Sequence, residues 1–255
     1  MAWHCQAAHS FSLSNQINMS IFLALPSYDL KIDARANNAI NYESGKIIRA
    51  TDPRSWSWIP YVFNQSWCVC LNQRKELGVD YFMMLHADIL PEYGFAEKML
   101  TEMQRTGAHL LSAVSPFKNN SGLTSTALNI PDHPTRRLTM KEIAKLPETF
   151  SLEDCKIFDQ NVAHLMTNTG LILVDLNWVD NLGAKRKHLY FAGRDWLVED
   201  AAGKLHPMMF PEDWHFSKTA ADLGAKVMAT RKVKITHLGQ IGYENQGEWG
   251  KETDN

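Results

Sequence analysis

Apolar residues along this chain fall into short continuous runs, with longer amphipathic stretches between them. The first run is Ile21-Phe-Leu-Ala-Leu25, stopped by Pro26-Ser27-Tyr28-Asp29. A run this short, apolar throughout and ended by a turn, predicts a strand covered on both faces. Ile47-Ile48 begins a weaker strand that ends at Asp52-Pro53. A helix follows, with Pro60 near its first position and Gly78 just beyond its end. Its apolar stripe is Phe63, Trp67, Cys70, Leu71 and Leu77, while Asn64 and Asn72 lie toward another face. Tyr81-Phe-Met-Met-Leu85 is the best candidate for a central buried strand, and it flows directly into His86-Ala87-Asp88. Phe95, Met99 and Met103 recur at i, i+4 and i+8, which predicts a helix stopped by Gly107. Leu110 to Val114 reads as the next strand. Strand and helix alternate, so the expected fold is α/β, with an open, mixed and mostly parallel central sheet flanked by helices.

The second half is patterned differently. Pro116 to Asp159 is rich in Asn, Ser, Thr and Pro, with one clear helix start at Thr139-Met-Lys-Glu142, a capping-box sequence. This stretch reads as an excursion over the sheet. Gly170-Leu-Ile-Leu-Val174 returns to strand. Tyr190 to Val198 and Leu205 to Phe210 flank Asp200-Ala-Ala-Gly-Lys204 as a hairpin would. Pro211-Glu212-Asp213 opens a helix with the stripe Phe216, Ala220 and Leu223, stopped by Gly224. Val233 to His237 forms a last short strand.

A length of 255 residues allows one substantial core and favours one domain over two. The formal charge of -2 is spread over near-neutral halves, so there is no global basic field of the kind that announces nucleic-acid binding. The local runs Lys185-Arg186-Lys187-His188 and Arg231-Lys232-Val233-Lys234 read as solvated faces. Cys5, Cys68, Cys70 and Cys155 lack paired metal-binding spacing, which fits reduced structural thiols in a cytoplasmic protein. No apolar run approaches the roughly 20 residues needed to cross a bilayer. The first residues also lack the charged start and apolar core of a signal peptide.

Three constellations carry candidate chemistry. His86-Ala87-Asp88 follows a central strand, where ligands gather in parallel α/β sheets. Core packing does not explain a carboxylate there, and it can hold a divalent cation that neutralises a diphosphate. Glu212 and Asp213 open a helix. They either complement its dipole or, kept ionised by the helix N-terminus, serve as general base and binder of an acceptor hydroxyl. His237 ends an apolar strand face, either as a satisfied core histidine or as a ligand for Mn²⁺ beside a carboxylate. Trp196 and Trp214 are either core residues or stacking surfaces for an acceptor.

The order of these features resembles the GT-A glycosyltransferases, especially the family 2-like group. Pro26-Ser27-Tyr28 matches the end of their early strand, and His86-Ala87-Asp88 is an imperfect match to their Asp-x-Asp motif. Thr169-Gly170-Leu-Ile-Leu-Val174, Glu212-Asp213-Trp214 and His237-Leu-Gly239 match later features in the same order, over roughly residues 20 to 240. The resemblance implies a single GT-A domain over 1–255, with a nucleotide-binding half at about 19–115 and an acceptor half at about 116–245. It implies that Pro26, Ser27, Tyr28, Asp52, Asn64, His86, Ala87 and Asp88 meet the nucleotide. Asp88 and His237 would bind Mn²⁺ or Mg²⁺, and Asp213, beside Glu212, would be the base of an inverting transfer from a UDP-sugar. His86 departs from the family's first Asp, which tilts the site toward Mn²⁺.

The same departure supports a second reading, a non-catalytic module that binds sugar nucleotides or glycans. A nucleotidyltransferase would bring a Gly-rich basic loop after the first strand, and Pro26 to Arg35 contains none. The default acceptor is a saccharide. A hydroxylated base in phage-type DNA is the less favoured alternative, with Arg136-Arg137 and Lys185 to Lys187 meeting phosphates.

Overall fold

The computed structural model describes residues 20–43, 45, 47–49, 57–131, 134–239 and 241–250. Strand β1 (Ile21–Ala24) leads to helix α1 (Ala34–Tyr42), whose N-cap is Asp33, and then to β2 (Ile47–Arg49). Helix α2 (Ile59–Leu77) has proline in its first turn and ends on Gly78 at φ 62, a left-handed stop that favours glycine. Next come β3 (Tyr81–Leu85), a short β4 (Ile89–Pro91), α3 (Phe95–Thr106) and β5 (Leu110–Ala113). The excursion holds β6 (Leu123–Asn129), β7 (Arg136–Thr139), α4 (Met140–Ile143), β8 (Thr149–Ser151), α5 (Leu152–Cys155) and β9 (His164–Met166). The chain finishes with β10 (Leu171–Asp175), α6 (Leu176–Asn181), the hairpin β11 (Arg194–Glu199) and β12 (Leu205–Phe210), α7 (Glu212–Asp222), β13 (Val227–Thr230), β14 (Ile235–Leu238) and β15 (Gly242–Glu244).

The central sheet has the order β2-β1-β3-β10-β5-β13-β8. Strands β2, β1, β3, β5 and β13 run parallel, while β10 and the edge strand β8 run against them. The fold is therefore α/β with a mixed, mostly parallel sheet. Period-two alternation divides each strand between two cores. Ile21, Leu23, Met83, Leu85, Leu171 and Leu173 face α1 and α3 on one side. Phe22, Phe82, Met84, Ile172 and Val174 face α2, α6 and α7 on the other.

Two features differ from expectation. The strand expected from Tyr190 begins only at Arg194. Before it, the backbone is held from outside: Trp67 Nε1 donates to the Leu189 carbonyl at 2.8 Å. The excursion is also more ordered than its polar composition implies. Its strands β6, β7 and β9 form a small sheet over a third core that contains Leu128, Leu138, Ile143 and Phe150. The expected capping box is present, with Thr139 accepting from the Glu142 amide and the Glu142 carboxylate accepting in return. Cys70 and Cys155 are free and buried, and burial pushes both thiols up to about 12, as inert structural thiols require.

Phe82 is fully buried on β3, with its ring 5.0 Å from that of Trp67 and 6.1 Å from that of Phe22. Phe82→Ala is expected to lower stability by about 3–5 kcal/mol, read as a shift in urea midpoint at unchanged m-value.

Candidate active site

Strands β1 and β3 are parallel neighbours, so the segments beyond their carboxyl ends lie side by side. The Ala87 amide donates to the Pro26 carbonyl at 3.1 Å and ties the two segments together. After β1 the chain closes a tight polar turn. Ser27 Oγ donates to the Lys31 carbonyl at 2.7 Å, and the Lys31 amide donates to Asp29 at 3.1 Å. Leu30 sits in this turn at φ 62, a left-handed conformation unusual for a branched side chain. Backbone strain of that kind persists where the surroundings enforce it, often beside a ligand site. A cavity of about 510 Å³ opens between these segments and the start of α2. Its wall includes Pro26, Ser27, Tyr28, Lys31, Phe63, His86, Ala87, Asp88 and Leu238.

His86 is held by both backbone and ring. Its amide donates to the Gly170 carbonyl at 2.9 Å, its Nε2 lies 3.1 Å from Thr169 Oγ1, and its ring centroid is 5.1 Å from that of Phe63. Burial pushes its pKa down to about 4 despite the nearby Asp88 charge, so the imidazole is neutral at pH 7. Gly170 itself is held by Asn168, whose Oδ1 accepts from the Gly170 amide at 2.9 Å and would lie 3.0 Å from a Cβ there.

Asp88 and His237 come together, as expected, with Asp88 Oδ2 at 3.5 Å from His237 Nε2. His237 Nδ1 lies 2.7 Å from the Pro116 carbonyl, which can only accept, so Nδ1 carries the proton. Nε2 faces the carboxylate, where a proton or a bound cation would bridge the two. Lys118 also ion-pairs with Asp88 Oδ2. Burial opposes ionisation of Asp88, but hydrogen bonds from His237 and Lys118 outweigh it and hold the carboxyl well below the usual range. Two protein ligands fit a cation whose remaining positions are filled by phosphate oxygens and water. Among the described residues, no cluster of three His, Cys, Asp or Glu side chains is placed to hold a metal alone.

No protein-family model matches the chain, and no curated protein does. Among solved structures the chain is similar to A197 from STIV, at 12% identity and a TM-score of 0.52, covering 93% of this chain and 99% of that one. This likeness is one of fold. Two further overlaps are partial. UDP-glucose phosphorylase from Trypanosoma brucei aligns at 15% identity and a TM-score of 0.34, over 66% of this chain and 36% of its own. Mannose-1-phosphate geranyltransferase from Thermus thermophilus aligns at 7% identity and a TM-score of 0.35, over 68% of this chain and 61% of its own.

Several expected residues lie elsewhere. Asn64 does not line the cavity; its amide nitrogen donates to the Phe191 carbonyl at 2.7 Å, and its oxygen accepts from the Phe191 amide at 2.8 Å. Asp52 lies outside the described residues. Trp214 is 4% exposed and donates from Nε1 to the Ser125 carbonyl at 2.9 Å, so it is a packing residue and not an open stacking face. Trp196 stands on the exposed hairpin. Among the described residues, no helix is long and apolar enough to cross a membrane.

Asp213 also departs from expectation. The helix start does not keep it ionised. Burial, followed by the charge of Glu212, pushes its pKa up to about 8, against the opposing effects of the Trp214 amide and Arg137. Glu212 is raised as well, again by burial. Arg137 was not legible as part of this site. Its guanidinium carbon lies 4.2 Å from the Trp214 ring centroid and 4.6 Å from that of Phe117, sandwiched between the two. Arg136 pairs with Glu142, while Lys185 to Lys187, the other basic residues of the DNA alternative, are exposed. Phe117 adjoins Lys118, so one loop links the Asp213 region to Asp88.

A buried carboxyl that binds its proton more tightly when folded makes stability fall as pH rises between the unfolded and folded pKa values. For Asp213 the window runs from the ordinary carboxyl value of 3.8 to about 8. Asp213→Asn should flatten the decline of melting temperature from pH 5 to pH 8. An unchanged slope would show that Asp213 does not hold its proton in the folded state.

Proposed function

We propose that this protein is a glycosyltransferase that moves a sugar from a nucleotide-diphosphate donor, a UDP-sugar, to a hydroxyl acceptor. The observation that carries this reading is the convergence of Asp88 Oδ2 and His237 Nε2 at the edge of a cavity beyond β1 and β3. That position and donor set suit a cation shared with a diphosphate, and the cavity beside it is large enough for a nucleoside.

In this reading Pro26, Ser27 and Tyr28 bound the nucleoside, and His86 is neutral and turned toward Thr169. Asp88 and His237 would hold Mn²⁺ or Mg²⁺, which when bound offsets the charge developing on the departing diphosphate. The acceptor oxygen attacks the anomeric carbon as the bond from that carbon to the β-phosphate oxygen breaks, and Asp213 takes the hydroxyl proton. Attack opposite the leaving group inverts the centre. With its pKa at about 8, Asp213 is mostly protonated at pH 7 and is a stronger base once ionised than an ordinary carboxylate. Arg137, clamped between two rings, is placed to favour that ionised form.

The test is release of free UDP from a panel of UDP-sugars, with and without Mn²⁺. Turnover should require Mn²⁺ and vanish in Asp88→Ala. Asp213→Asn should lower kcat by about 10²–10⁴-fold while leaving UDP affinity near that of the wild type. The wild-type rate should rise with pH to a plateau above about 8. Tight UDP binding without turnover of any donor would replace this reading with the binding module, which the single carboxylate of the His86-Ala87-Asp88 segment favours.

A further inference from the structure

Lys118 is a cation already seated where the proposed metal would go. Its ammonium meets Asp88 Oδ2, the same oxygen that lies 3.5 Å from His237 Nε2. The lysine stem has a built seat: a Cβ at position 239 would come within 3.2 Å of Lys118 Cβ and 3.4 Å of its Cδ. Gly239 thus leaves the space along which the stem lies. The root of the side chain is fixed too. The Phe117 amide donates to the Leu123 carbonyl at 2.8 Å, the Pro116 carbonyl holds His237, and the Phe117 ring packs on Arg137.

We infer that Lys118 is a tethered placeholder for the divalent cation, holding Asp88 until a nucleoside diphosphate arrives and draws the ammonium onto its own oxygens. The inference rests on the nucleotide-diphosphate reading above. The charges favour it. Asp88 is the one anion of the pair and is matched by one ammonium. A dication entering alone would face an adjacent positive charge and gain one carboxylate and one imidazole. A diphosphate changes both sides of that balance: it gives Lys118 a new anionic partner and supplies the oxygens that complete the cation's shell. Lysine suits the exchange because its compact charge sits on a flexible stem and carries no planar fork that would lock it to one carboxylate. Binding of metal and nucleotide is thereby coupled, and the coupling is reciprocal.

The experiment is Mn²⁺ binding to the full chain, measured from the electron paramagnetic resonance signal of free Mn²⁺, with and without saturating UDP. Wild-type protein should bind Mn²⁺ at least about tenfold more tightly with UDP than without it, and Mn²⁺ should tighten UDP by the same factor. Lys118→Met keeps the stem and removes the charge. It should raise Mn²⁺ affinity without UDP by about tenfold and shrink the enhancement by UDP. Gly239→Ala, which crowds the stem while keeping the ammonium, should move both quantities in the same direction. Equal Mn²⁺ affinity in wild type and Lys118→Met without UDP overturns the inference. If Lys118→Met gains Mn²⁺ affinity while no UDP-sugar is turned over, the placeholder stands and the transferase reading fails.

Discussion

A carboxylate set just beyond a buried parallel strand is partly stripped of water and gains from opposite charge within reach. In this protein the residue is Asp88, which follows the buried run of β3. It is answered from two remote parts of the chain. Lys118 comes from the loop after β5 and His237 from β14. The Leu238 amide donates to the Asp88 carbonyl at 2.8 Å, so the backbone of the last sheet is bound to the same segment. The end of β3, the loop after β5 and β14 thus meet at this one group.

The sheet supplies the frame for that arrangement. Insertion of β10 against the direction of its neighbours brings Thr169 and Gly170 beside the end of β3. Those residues take the His86 amide and ring nitrogen, which holds the imidazole in place, and burial there keeps it neutral. A parallel β10 would place its other end there. Strand direction therefore decides what His86 meets.

The excursion after β5 carries the second half of the site. Its strands bury their own apolar side chains and present Arg137 to Trp214 and Phe117. The guanidinium keeps its charge while burial works against it. Asp213 feels that charge and the opposing charge of Glu212, and burial outweighs the relief that Arg137 and the Trp214 amide bring. The carboxyl in the first turn of α7 thus holds its proton into the neutral range, unlike a first-turn carboxylate exposed to solvent.

The sequence by itself determined what depends on local pattern. Short apolar runs marked β1, β3, β5 and β10. Pro60 and Gly78 bounded α2, Gly107 ended α3, and Thr139 with Glu142 announced a capping box. These features are readable because propensity, capping and amphipathic period act within a few residues. Helix α1 escaped notice because Ala-Arg-Ala-Asn-Asn-Ala-Ile-Asn-Tyr buries only Ala36, Ala39 and Ile40 and offers no strong stripe. The position of Asp88 and its meeting with His237 were also legible, from a strand end and from a resemblance in motif order. Only the tertiary structure decided the direction of β10, since an apolar run of five reads alike in either sense. It alone assigned Asn64 to the Phe191 backbone, buried Trp214, placed Arg137 between two rings and set Lys118 on Asp88. Each of those outcomes is a contact between residues far apart in the chain, and electrostatic environment and packing exist only once such contacts have formed.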